Sequence, residues 1–76
     1  MIQYSVKYKT VAEGKTRGKY RIVLNQENEL RAKEEAKQYL QKLTEKDLIK
    51  REITEIIELQ RLLNNATPGI KQVFHD

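Results

Sequence analysis

At 76 residues, with no cysteine and one histidine, the chain has the length of a single domain (1–76) and neither disulfides nor a cysteine–histidine metal site to staple it, so its stability must come from helix and sheet packing, or partly from a partner. The formal net charge of +4 is unevenly held: residues 1–24 carry Lys7, Lys9, Lys15, Arg17, Lys19 and Arg21 against Glu13 alone, whereas the rest of the chain carries nine Lys or Arg against ten Asp or Glu. No apolar run approaches the roughly 18 residues of a membrane span, and MIQYSVKYK alternates instead of presenting a signal peptide's apolar block, so a cytoplasmic protein with no membrane association is expected.

The first segment alternates cleanly, with Ile2, Tyr4, Val6 and Tyr8 on one side and Gln3, Ser5, Lys7 and Lys9 on the other, the pattern of a half-buried strand. A second strand is expected over Lys19 to Leu24, with Tyr20, Ile22 and Leu24 on one face and Lys19, Arg21 and Val23 on the other. Between them VAEGKTRG supplies Gly14 and Gly18 for a turn, and the two strands are expected to pair as a hairpin with a long, flexible basic tip.

Asn25 to Asn28 breaks the alternation, and Leu30 is placed to close a short third strand. Beyond it Ala32, Ala36, Tyr39, Leu40 and Leu43 recur at helical spacing in a run rich in Ala, Glu, Lys, Gln and Leu, which predicts a helix over about 29 to 43. Thr44 followed by Asp47 has the spacing of an N-cap, so a second helix is expected from near Glu45, with Ile49, Ile53, Ile56 and Leu63 on one face and Leu48, Ile57, Leu59 and Leu62 widening it. Within it ITEIIEL also suits a strand. Asn64, Asn65, Pro68 and Gly69 end that element, and Ile70, Val73 and Phe74 then form a last turn of helix or a docking strand. The expected fold class is α+β, an N-terminal antiparallel hairpin with at most a short third strand, packed on one long helix and a second C-terminal helix.

The chemistry of an enzyme is hard to assemble from these residues. His75 lies one position from the end of the sequence, Ser5 sits mid-strand without a neighbouring base, and Gly14-Lys15-Thr16 lacks the earlier glycine of a phosphate-binding loop because Lys9 stands in its place. Glu52, Glu55 and Glu58 would line one side of a helix, a solvated face balanced by Arg51 and Arg61 rather than a cation site. No catalytic residue, metal or cofactor is therefore expected.

What the sequence offers is a surface. Lys7, Lys9, Lys19 and Arg21 share the hairpin face opposite the expected core, and Lys15 and Arg17 extend it at the tip, a ridge suited to an acidic partner such as nucleic acid or a protein of a nucleoprotein complex. Tyr4, Tyr8 and Tyr20 belong to the opposite, core face. A second surface is the apolar excess of the C-terminal half, where Ile53, Ile57, Leu59 and Leu62 are candidates for a protein interface, including a homodimer.

Two resemblances attach to these features. A basic hairpin followed by LRAKEEAKQYLQKL resembles the N-terminal arm-binding domains of phage integrases, with Leu30, Glu35, Ala36, Tyr39 and Leu40 matching the helix spacing over about half the chain; that likeness implies a small sheet entering the DNA major groove with a helix behind it. The aromatic usual at the position of Leu30 and the catalytic domain of integrases are both missing. By size, charge and strand-strand-helix order the chain is also similar to small phage inhibitors of bacterial defence, the anti-CRISPR type, which implies a stoichiometric inhibitor, acting in a host cytoplasm, that docks on a nucleoprotein complex and blocks nucleic-acid access. The expected function is thus non-enzymatic binding through the basic hairpin, with the inhibitor reading ahead of direct DNA binding and of a dimeric assembly role.

Overall fold

The alternation at the N-terminus becomes a strand, β1 (Ile2–Ala12), and the second β-forming run becomes β2 (Lys15–Gln26), in a computed structural model that describes residues 1–76. The two pair antiparallel in a register that sets Tyr4 opposite Leu24, Val6 opposite Ile22 and Tyr8 opposite Tyr20. Both strands run further toward the turn than the sequence suggests. The expected long tip is instead a two-residue turn, Glu13-Gly14, in which both residues have positive φ (55° and 74°), the conformation whose twist suits a tight hairpin. Lys15 and Arg17 are accordingly strand residues, not members of a loose loop.

The polar break at 25–28 starts a helix. Asn28 caps α1 (Glu29–Asp47) by accepting a hydrogen bond from the Arg31 amide at 2.9 Å, and Leu30 lies in the first helical turn, 66 % exposed, so no short third strand forms there. Ala32, Ala36 and Leu40 are buried on one stripe of α1. The two alanines let the helix approach Tyr4, Val6, Tyr8, Ile22 and Leu24 closely, and Ile2, Tyr20, Tyr39, Leu43, Ile53, Ile56 and Ile70 pack around that core.

The expected second helix is not present. After Leu48, which ends α1 in the left-handed conformation (φ 60°), the chain enters β3 (Lys50–Arg61), and after a loop it adds β4 (Gly69–His75). The fold is a four-stranded antiparallel sheet, order β3-β1-β2-β4, with one helix on one face. This corrects the two-helix architecture, and β3 shows why the period misleads. Bulges relative to β1 between Lys7/Tyr8 and between Gln3/Tyr4 insert Thr54 and Leu59, so Ile53 and Ile56 face the helix although three residues apart. A strand with such insertions carries apolar residues at a helix-like spacing. Its β-branched content, Ile53, Thr54, Ile56 and Ile57, decides for the strand.

Thr44 and Asp47 do not open a helix either. The Thr44 carbonyl accepts the Leu48 amide at 2.8 Å to close α1, while Asp47 accepts the Ile49 amide at 2.9 Å and grips Arg51 through both oxygens at 2.8 and 2.6 Å. Ile70, Val73 and Phe74 take the strand alternative, and Asn25 ties the loop before β4 to the sheet by donating to the Thr67 carbonyl at 3.0 Å. No helix is long and apolar enough to cross a membrane.

Candidate functional site

All the helical mass lies on one side of the sheet, which leaves the other side without a helix, although Ser5 and Asn25 there are buried. By strand alternation that open face carries Gln3, Ser5, Lys7 and Lys9 from β1 and Lys19, Arg21, Val23 and Asn25 from β2, and the pairing sets Glu52, Glu55, Ile57 and Gln60 of β3 on one flank and Gln72 and Phe74 of β4 on the other. Tyr4, Tyr8 and Tyr20 are on the helix side, the first two buried.

The central strands put four cations in a square. Lys7 is directly opposite Arg21 and Lys9 directly opposite Lys19. Like charges in directly opposed positions work against the sheet, so this arrangement lowers stability unless something acidic compensates it. Part of the compensation comes from β3: the Lys7 ammonium lies 3.4 Å from Glu55 and the Lys9 ammonium 3.7 Å from Glu52. Glu52 also holds Lys50 at 3.2 Å, and the Lys50 hydrogen bond, with a smaller contribution from Lys9, keeps its carboxyl below the usual range and ionised. These pairs are solvent-exposed and worth little individually, so they leave Lys7 and Lys9 free to exchange partners.

Lys19 and Arg21 have no carboxylate within ion-pair distance, nor has Lys15; Arg17 touches only Glu13, at 3.4 Å and exposed. The guanidinium of Arg21 lies over the Phe74 ring, 4.5 Å from its centroid, and its buried Nε has no hydrogen-bond partner. Lys7, Lys9 and Lys19 further line a cleft of about 440 Å³ together with Thr16, Thr54 and Asp76. A larger hollow of about 700 Å³ between α1 and β3 sets Lys33 and Lys37 against Glu29, Glu52 and Glu55 and has no such excess of one sign.

Of the six cations the sequence singled out, four therefore form one array; Arg17 is inserted at a bulge between the Thr10–Gly18 and Val11–Thr16 pairs, so Thr16 continues the open face and Lys15, opposite Ala12, falls on the other side, both lying beyond the end of β4, whose pairing with β2 stops at Tyr20 opposite His75. The apolar candidates do not make a single face. Ile53 is half-buried under the helix, Ile57 is 41 % exposed on the open side, Leu59 is 44 % exposed at a bulge, and Leu62 follows β3 and donates its amide to the Met1 carbonyl at 3.0 Å. The three glutamates are likewise divided, Glu52 and Glu55 on the open side and Glu58 on the helix side opposite Tyr4.

Two placements were not legible in the sequence. Phe74 joins the open face only because β4 pairs with β2, and His75 stacks on Tyr20 at 4.6 Å rather than trailing from the end of the chain. Ser5, read as lacking a base, lies between Ile57 and Val23 in the pairing, and its hydroxyl has no hydrogen-bond partner. Gly14-Lys15-Thr16 turns from one strand into the next. Comparison with protein-family models, curated proteins and solved structures finds no match for this chain.

Proposed function

We propose that this chain is a non-enzymatic binding protein that engages nucleic acid through the open face of its sheet. The observation that carries the reading is the square of Lys7, Lys9, Lys19 and Arg21, in which opposed cations sit side by side on the sheet face opposite the helix. A phosphate row supplies the negative charge that such an array lacks, and neutralising it releases counterions. The bulge at Arg17 turns Lys15 to the other side of the sheet, so the basic square ends toward the turn at Lys9 and Lys19.

A second reading is favoured by Glu52 and Glu55, which share the face with the cations. A surface of mixed sign is suited to docking on a protein, so an inhibitor that seats on a nucleoprotein complex and competes for its nucleic-acid path fits the same residues. Titration of labelled oligonucleotides with the protein over a range of salt concentrations separates the two. Direct binding is expected to weaken steeply with salt, and Lys9→Ala with Lys19→Ala should lower the log–log salt slope by about two, roughly one per lost phosphate contact. Absence of binding to bare single-stranded or duplex nucleic acid at low salt overturns the direct reading and leaves the nucleoprotein-docking one.

A further inference from the structure

We infer that the form of nucleic acid this face accepts is a single strand, with one base stacked on Phe74 and the adjoining phosphates on the cations of β2 and β1. The inference rests on the direct-binding reading above and adds to it the strand state of the ligand.

Three observations lead there. The first is width: β3 pairs along nearly all of β1, and β4 covers β2 from Tyr20 to Asn25, so the hairpin is the middle of the sheet and not a free blade. Four strands at about 4.8 Å spacing make a surface broader than the roughly 12 Å major groove, which therefore cannot admit it face-on. The second is the shape of the charge. The cationic zone is two strands wide, bounded by Glu52 and Glu55 on the β3 side and by Phe74, with Asp76 beside Lys19, on the β4 side. A duplex presents two phosphate rows, one of which would fall on the glutamates. One row laid along β2 and β1 avoids them, since alternate strand positions repeat every 6.6 Å or so.

The third is the aromatic ring. Phe74 is the only aromatic residue on the open face, and it stands on an edge strand beside the cations, half-buried, with Arg21 over one side and no further strand beyond it. Bases reach such a ring only when they are unstacked from a complementary strand, and every base has a face to offer it. A strand with its phosphates toward Lys19 and its bases turned toward β4 satisfies the charge and the ring at once.

The chain contains no tryptophan, so Phe74→Trp creates a unique fluorescent reporter. Its emission is expected to be quenched by oligothymidylate and oligouridylate, and left unchanged by a duplex of equal charge or by polyglutamate. In anisotropy titrations the protein should bind the single strands at least tenfold more tightly than the duplex. Phe74→Leu should weaken single-strand binding about 5- to 100-fold, as expected for losing one stacked base, while Phe74→Tyr retains it. Unchanged circular dichroism checks that Phe74→Leu is folded, and the Phe74→Trp signal does not depend on that variant. Equal affinity for duplex and single strand, an unquenched reporter, or equal competition by polyglutamate would overturn the single-strand inference; binding that still depends on Lys9 and Lys19 would leave the broader reading standing. Failure to bind either form overturns both.

Discussion

Gly18 is opposite Thr10 on the helix side of the hairpin, and its lack of a side chain is a packing requirement. A Cβ there would lie 2.9 Å from the Tyr20 ring and 3.1 Å from both the Tyr20 and Thr10 hydroxyl oxygens. The ring folds back over the glycine and stacks between Tyr8 at 5.1 Å and His75 at 4.6 Å. Gly18→Ala should therefore destabilise the protein by about 1–3 kcal/mol, the usual cost of overpacking, as read by urea unfolding; an unchanged midpoint would mean that Tyr20 swings aside freely. Asp47 offers a second test at the same scale. Its double hydrogen bond from Arg51, and then the Ile49 amide, lower its carboxyl from the ordinary 3.8 to about 2. A depressed carboxyl stabilises the fold above its unfolded value and loses that effect as pH falls through the folded one, so stability should decline between about pH 4 and pH 2. Asp47→Asn should flatten that part of the acid limb in unfolding measured against pH. Burial acts in the other direction on Tyr4 and Tyr8, raising both phenols and keeping them neutral as pH rises past their ordinary value of 10.0.

Among the elements, the end of α1 is open to improvement. Leu48 occupies the left-handed position that usually belongs to glycine, with φ 60° and 86 % exposure, so the side chain contributes little burial to offset the strain. Leu48→Gly should raise stability by about 0.5–1 kcal/mol in thermal or urea unfolding; a loss would show that the leucine packs in solution. The same junction separates what could be read in advance from what could not. β1 and β2 announced themselves because their alternation is unbroken where they pair with each other from Ile2 to Thr10, and α1 because Ala32, Ala36 and Leu40 keep a constant helical spacing. β3 hid behind Thr54, the inserted residue that puts Ile53 and Ile56 on one face three positions apart, and behind Leu59, which breaks the alternation again after Glu58. The cation array was legible since all four members lie on those two regular strands. Its acidic border and its aromatic neighbour were not, because Glu52, Glu55 and Phe74 reach it only through pairings made across long stretches of chain.

For the molecule as a whole, the distribution of charge is the quantity that function should follow. Glu52 and Glu55 restrain Lys9 and Lys7 at 3.7 and 3.4 Å without burying them, so they act as internal competitors for any anion that approaches. Glu52→Gln with Glu55→Gln should strengthen nucleic-acid binding several-fold at low salt and increase its salt dependence, measured by anisotropy. Unchanged or weaker binding would show that the two carboxylates do not compete with the bound nucleic acid for Lys7 and Lys9.

The central position of β1 also sets an order of events during synthesis. One of its edges pairs with β2, which follows immediately, but the other pairs with β3, where Ile2 meets Arg61. At ribosomal rates of about 5–20 residues per second, that edge waits several seconds for its partner. A lone two-stranded hairpin is marginal in water. β1 is therefore secured on one edge only, and its tyrosine-bearing hairpin leaves the other edge open, until β3 has emerged from the ribosome.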